Sequence, residues 1–389
     1  MSQPPLLDTP ASGTAPRLSC CLAPFGVYTR FMLAAYLRGL LMIVSVLLSI
    51  ALTIDLWPQI DTVIAAKSGN ALRNLVVFCL LRSPHLLAPL LPFATFLAVW
   101  MVEITHTRNG ERLLVANTGR SPLKSLCPAI LLGLLAGPVT FTLDGLLSPA
   151  SMREQIHEGL GRDALRLDRN RISDLVWIDT PEGLVSAHIA YEPPMTLRDI
   201  TVFRFDPRFL MDEIIKAPVA TPIPHSSRWR LDAPLVWKNG QKQTDMLLPF
   251  PAGEMTVTLS IYPLWLSVYG VDVQYLTLQT LRKLAHHDGE GYDAAHYRTR
   301  LAMLYSTLIL PTIMAALACI LCGIRLPYAP DGLVAATILA WGYAAHVATR
   351  ICLLLGQTNV TPAWLAVSLV PCGLIIAMIV IVRRQKGTA

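Results

Sequence analysis

Apolar and polar positions fall into three regimes along the chain: long uncharged runs at both ends, a short amphipathic stretch between two of them, and a central region of strand-length apolar runs cut by turn residues. Between Arg38 and Asp55 lie 16 uncharged residues. That is short for a bilayer at about 1.5 Å per helical residue, but Arg38 can snorkel and Leu56-Trp57 extends the far end to an interfacial aromatic. This is span 1. Residues 58–85 mix polar and apolar groups and read as a short helical excursion at the outer surface. Leu86 to Val102 forms span 2, with Pro89 and Pro92 expected to kink it because each removes a backbone hydrogen bond. Ser125 to Leu143 supplies 19 uncharged residues for span 3. Beyond the central region, Leu301–Ile324, Gly332–Leu355 and Pro362–Val382 give spans 4 to 6, the last closed by Arg383, Arg384 and Lys386.

Between spans 2 and 3 the chain reads His106-Thr-Arg-Asn-Gly-Glu-Arg-Leu-Leu-Val-Ala-Asn-Thr-Gly119-Arg-Ser. Asn109–Thr118 is expected to be a small helix, with Thr107 or Asn109 as N-cap, Glu111 in the first turn where the macrodipole favours an acid, and Gly119 at the C′ position. Leu113, Leu114, Val115 and Ala116 are too apolar for a freely solvated loop. A loop lying on lipid headgroups and a docking helix for a cytoplasmic partner both fit this pattern.

The central region carries strand-length runs at 174–179, 184–191, 198–206, 228–232, 234–238 and 254–260. Prolines and the Asn239-Gly240 pair punctuate them, which predicts an antiparallel sandwich or jelly roll. Ile200 and Val202 lie on one face of their strand and Phe203 and Phe205 on the other, as burial plus a partner contact, or an acyl-binding interior, would require. From Asp272 to Ala285, Val273, Leu276, Leu281 and Leu284 recur at helical spacing beside Arg282 and Lys283, an amphipathic helix leading back to the membrane.

The fold expected is an α-helical membrane protein with six transmembrane helices and an extracytoplasmic all-β, jelly-roll-like domain inserted between helices 3 and 4. Its divisions are a disordered cytoplasmic tail (1–24), helices 1–3 with the cytoplasmic helix at 107–119 (25–148), the β domain (149–271), a connector helix (272–300) and helices 4–6 (301–389).

Composition and charge agree. The 389 residues are 53% hydrophobic and only 15% charged. Of 26 acidic residues 20 lie between Asp144 and Arg300, with 17 of the 32 basic ones, so the membrane-flanking segments carry the net positive charge and the central region is acidic. The net +6 therefore reports topology, not nucleic-acid binding: both termini and the Glu111 stretch inside, the central domain outside. Lys67, Arg73 and Arg82 are exceptions, on an outer segment. Six cysteines sit in or beside spans. Cys319-x-x-Cys322 falls inside an apolar helix and reads as packing, not as a redox or zinc site. His286-His287-Asp288 and His296 decorate a glycine-rich loop, so no metal is expected.

No H-E-x-x-H, G-x-S-x-G, G-x-G-x-x-G or Walker sequence is present, so neither catalytic residues nor a cofactor are expected and any energy comes from another subunit. Charges at membrane depth cost about 2.5–3.5 kcal/mol on insertion scales. They single out Arg350 in span 5, His346 four residues earlier, and Asp55 closing span 1. Arg350 either snorkels to the interface, or lines a path for an anionic headgroup, or clasps Asp55.

In the order of its parts the chain resembles the LptF/LptG permeases of the lipopolysaccharide export ABC transporter. Glu111, a helix and Gly119 eight positions on match the family's cytoplasmic stretch. Pro24-Phe-Gly-Val-Tyr-Thr-Arg-Phe31, the Trp177 strand and Gly291-Tyr292 through Tyr297-Arg298 match elsewhere, and segment details lean towards LptG. The resemblance implies a bacterial inner-membrane protein whose central domain is periplasmic. It implies a heterodimer with a second such permease, a cytoplasmic ATPase dimer, a periplasmic bridge and single-span accessory proteins. Glu111, Arg112, Leu114 and Gly119 would then couple to the ATPase. Lipopolysaccharide would enter from the outer leaflet between span 1 of one permease and span 5 of the other. Relatives can carry a basic residue where this chain has Asp55, which turns attention to Lys67, Arg73, Arg82, His346 and Arg350 for lipid phosphates. Another lipid or lipoprotein exporter, and a non-transporting sensor or scaffold, are the alternative readings.

Overall fold

The computed structural model describes residues 26–66, 70–117, 122–166, 172–191, 195–208, 210–223, 226–239, 248–249, 253–286, 294–326 and 332–386. Helix α1 (Val27–Leu56) turns Met32, Tyr36 and Gly39 into the bundle and leaves Leu41, Met42, Val46, Ile50 and Ile54 exposed. Such a face suits lipid or a neighbouring membrane subunit. A 3₁₀ turn at Trp57–Gln59 leads to α2 (Ile60–Ile64), and α3 (Ala71–Leu87) precedes α4 (Leu91–Arg108). The last two meet at 78° across Ala88–Leu90. The proline-rich kink thus falls where the sequence places it, but the apolar helix begins later and runs six residues past Val102. Thr107 lies inside α4, so it is not the cap of the next helix.

Among the described residues four helical runs are long and apolar enough to cross a membrane: Val27–Ile64, Lys124–Glu158, Gly332–Gln357 and Ala363–Arg384. The bent pair α3 and α4, and a second pair, α11 (Ala294–Ser306) and α12 (Leu310–Arg325), bent by 53°, bring the number to as many as six if each pair is one span. The second break precedes Pro311, so the unbroken span read from Leu301 is interrupted. Helices α13 (Gly332–Gln357) and α14 (Ala363–Lys386) pack on each other and on α11.

The bundle core joins Met32 and Tyr36 of α1, Phe96 and Val99 of α4, Leu132 of α6 (Pro122–Thr142) and Met314 of α12. Gly133 and Gly137, one turn apart on α6, let the α12 chain approach. A Cβ at Gly137 would fall on the Leu308 carbonyl oxygen, and one at Gly133 on the Thr312 backbone. Beyond Thr142 the helix continues through a π turn, Leu143–Leu147, into α7 (Ser148–Glu158), and α8 (Arg162–Arg166) follows. The stretch after 149 is therefore helical, and the β domain begins at Val176. Gly159, at φ +68°, ends α7 in a left-handed conformation that glycine adopts without strain.

Strands β1 (Val176–Thr180), β2 (Gly183–Ala190), β3 (Thr196–Phe205), β4 (Met211–Pro222), β5 (Arg228–Asp232), β6 (Leu235–Lys238), β7 (Leu248–Pro249) and β8 (Glu254–Thr258) form one antiparallel sheet. The order is β1-β2-β3-β4-β5-β8, with β6 pairing β4 and β7. In β1 burial alternates, Val176 and Ile178 inward, Trp177 and Asp179 outward, as the pleat requires. The inward face packs Val185, Ile200, Val202, Ile215, Trp229 and Leu231. β4 has no counterpart among the runs read from sequence, since Pro218 and Pro222 argue against a strand. Pro218 sits at the junction where β4 changes partner, between Glu213–Lys216 on β6 and Val219–Pro222 on β5, so its missing donor interrupts no ladder there.

From the sheet, α9 (Pro263–Ser267) and a 3₁₀ turn at Val273–Tyr275 lead to α10 (Leu278–His286). α10 buries Leu281 and Leu284 and exposes Arg282 and Lys283. The expected amphipathic connector is thus this helix plus a separate turn.

Candidate functional site

Helix α5 (Glu111–Asn117) follows α4 after the two residues Asn109 and Gly110. Gly110 is at φ +72°, with open space where a Cβ would sit, so the requirement is on the backbone and favours glycine. The turn throws α5 out from the bundle. Leu113 and Leu114 are 46% and 66% exposed, which leaves an apolar edge uncovered. Two crosswise acid–base contacts tie the helix back. Glu111 pairs with His106, and Arg112 Nη1 lies 3.4 Å from Glu103 Oε2. Glu103, His106 and Thr107 share one face of α4, three and four residues apart. Arg112 also donates to the Thr107 hydroxyl at 3.4 Å. Gly119, expected to cap the helix, lies outside the described residues.

Glu103 is the residue the sequence reading did not single out. It is buried, accepts from the Tyr36 hydroxyl of α1, and has Cys319 Sγ of α12 at 3.9 Å. A carboxylate directly after an uncharged run, three residues before a histidine, was the available signal. Cys319 and Cys322 are both buried, as packing residues.

The other candidates gather around the 273–275 turn and the bend between α3 and α4. Arg82 holds Asp55 bidentately, Nε to Oδ2 at 2.9 Å and Nη2 to Oδ1 at 3.1 Å, and reaches Asp163 and the Tyr275 hydroxyl at 3.2 and 3.0 Å. One guanidinium thus joins α1, α3, α8 and the 273–275 turn. Burial pushes the Tyr275 phenol up to about 12, against the opposing pull of Arg82. Asp55 is therefore paired with Arg82, and the clasp between Asp55 and Arg350 does not form. Arg73 is exposed and lies 4.0 Å from Glu158; Lys67 lies outside the described residues.

Arg350 is partly buried and donates to the Pro89 carbonyl, in the bend between α3 and α4, at 3.0 Å. His346 packs against Phe93, ring centroids 5.3 Å apart. Arg350 shares with Arg300, His296, Tyr297, Gln274 and Asp272 an open cavity of about 580 Å³. Arg300 is in turn held by Asp144, at 2.7 and 2.8 Å, on the π turn. That buried pair links the π turn to α11 and was also not read from sequence. Arg350 has no carboxylate within salt-bridge distance among the described residues, so the cavity offers a cation to an anionic group.

As for metals, Glu154, His157 and Glu158 come together on α7, the first two exposed and Glu158 half-buried, facing Arg73. His286 Nδ1 donates to the Arg282 carbonyl at 2.8 Å, while His287 and Asp288 lie outside the described residues.

The model of the lipopolysaccharide export system permease LptF/LptG family matches residues 30–384. No curated protein matches the chain significantly. The match spans the helical bundle, α5 and the sheet domain together, so the chain, a multi-pass inner-membrane protein, belongs to the LptF/LptG family of lipopolysaccharide export permeases.

Proposed function

We propose that this permease, LptG-like rather than LptF-like, extracts lipopolysaccharide from the outer leaflet of the inner membrane and passes it to a periplasmic bridge. It works as a heterodimer with a second permease of the family, with single-span accessory proteins. A separate cytoplasmic ATPase dimer supplies the energy, and the chain itself carries no catalytic residue. α5 is the coupling helix. Glu111 faces a basic residue of the ATPase, Leu113 and Leu114 bury against it, and closure of the ATPase is passed through α5 to the spans. Lipid enters between span 1 of one permease and span 5 of the other. Arg350, at its open cavity, meets a headgroup phosphate.

The observation that carries this reading is α5 itself: a short helix turned out by Gly110, with two leucines exposed, yet anchored to α4 through Arg112. An ordinary surface loop needs neither the exposed leucines nor a buried anchor. Arg82 is engaged by two carboxylates, which favours Arg350 over Arg82 as the lipid contact.

Co-purification in a gentle detergent, wild type beside Glu111→Ala, tests the assignment. Wild type is expected to retain a second permease and an ATPase, and the variant to lose the ATPase or to hydrolyse ATP without response to lipopolysaccharide. Retention of neither partner by wild type would favour a sensor or scaffold.

A further inference from the structure

Glu103 lies where three moving parts would have to meet. Its side chain is 7% exposed, on α4, inside a bundle of apolar helices. A carboxylate in such a place is stable only while its lone pairs are satisfied and its charge is answered. Each oxygen is answered by a different element. Oε1 accepts from the Tyr36 hydroxyl of α1, and Oε2 faces the Arg112 guanidinium of α5. Tyr36 is fully buried and the Arg112 side chain is only 21% exposed, so both partners of Glu103 are largely shielded from solvent. α1 and α4 are also closely apposed here, Gly39 leaving just enough room for Val102 and Met101.

We propose that Glu103 is the positioning residue of the coupling step, passing a displacement of α5 to span 1 through the chain Arg112–Glu103–Tyr36. The proposal rests on the coupling role given to α5. When the ATPase moves α5, Arg112 moves with it. Leaving Glu103 behind would strand a buried charge, so α4 follows at Glu103 and α1 follows through the Tyr36 hydroxyl. α1 is the span whose apolar face is most open, and its displacement changes what that face admits. The second pair, Glu111–His106, is the part that can be exchanged, since Glu111 is 41% exposed while Glu103 is not. An ATPase cation that captures Glu111 leaves Arg112, through Glu103 and Thr107, still holding α5 to α4.

The test uses the full complex in proteoliposomes and reads lipopolysaccharide released to an acceptor per ATP hydrolysed. Glu103→Gln keeps the shape and removes the charge; Tyr36→Phe removes one oxygen. Both are expected to retain the ATPase and hydrolyse ATP, with the ratio falling at least tenfold in Glu103→Gln and measurably in Tyr36→Phe. The loss in the double variant Glu103→Gln/Arg112→Gln is expected to fall short of the product of the two single losses, because the Arg112–Glu103 contact is broken only once, while Arg112 keeps a separate partner in Thr107 and Glu103 one in Tyr36. A wild-type ratio in Glu103→Gln, or losses that multiply in the double variant, overturns the proposal and leaves the coupling-helix reading standing. If Glu103→Gln does not accumulate in the membrane, Tyr36→Phe decides alone, and an unchanged ratio overturns the proposal. Wild type that releases no lipopolysaccharide with ATP takes down both.

Discussion

Replacing Asp144 with alanine strands the Arg300 guanidinium inside the bundle, and the structure sets the scale of the effect. The two side chains are 10% and 7% exposed, and two parallel hydrogen bonds of 2.7 and 2.8 Å join them. Removing one partner of such a buried pair costs about 3–5 kcal/mol, because the remaining ion has lost its counter-charge but not its burial. Replacing both by apolar groups of similar volume is close to neutral on the same reasoning. Asp144→Ala and Arg300→Met are each expected to destabilise by that amount, whereas Asp144→Leu/Arg300→Met recovers most of it. Reversible denaturation of the purified chain in detergent micelles, followed by tryptophan fluorescence, reads the difference. Simple addition of the two single effects in the double variant would refute the claim that this pair is one buried unit tying the π turn to α11.

Other consequences are as direct. Gly137→Ala drives a methyl into the Leu308 carbonyl, so α6 and the break between α11 and α12 must separate; a loss of about 1–3 kcal/mol is expected, and an unchanged melting temperature would contradict the packing. Arg82→Met leaves Asp55 and Asp163 facing each other, which is expected to cost on the order of 2 kcal/mol. Faster hydrogen exchange at 57–64 and 162–166 reads it, and unaltered exchange would contradict the joint. Tyr275 holds its proton more tightly in the folded chain than a free phenol near 10 does. Its contribution is therefore complete below pH 10 and is lost as pH rises towards about 12, so Tyr275→Phe is expected to show a shallower alkaline loss of stability than wild type; identical curves would contradict the burial.

Much of this architecture was legible because the spans are written in composition: long uncharged runs flanked by arginine and lysine admit few other structures. The kink at Pro89 and Pro92 and the strand-length apolar runs cut by prolines and Asn239-Gly240 were legible for the same reason, each resting on a local rule. What the sequence hid depends on distance. Pro218 argues against a strand, and only the change of partner along β4 explains why it is tolerated. The division expected at 148/149 falls inside a helix, because proline is welcome in the first turn of α7 and the helix runs on. At the site, Glu111, Arg112 and Leu114 were visible as an amphipathic stretch between spans. Their anchor was not, since Glu103 meets Tyr36 across 67 residues and Cys319 across 216. Asp55 and Arg350 were both conspicuous as charges at membrane depth, and pairing them was natural. Arg82, which belongs to a mixed polar segment, turned out to be the partner of Asp55.

ATP-driven release of lipopolysaccharide from proteoliposomes to a soluble acceptor tests the permease role most directly. It compares complexes with wild-type chain, with Glu111→Ala, and with the chain omitted. Release is expected to require ATP and the wild-type chain, and to fall to the level of the omitted control in Glu111→Ala. Equal release with and without the chain, or release by Glu111→Ala at the wild-type rate, would contradict it.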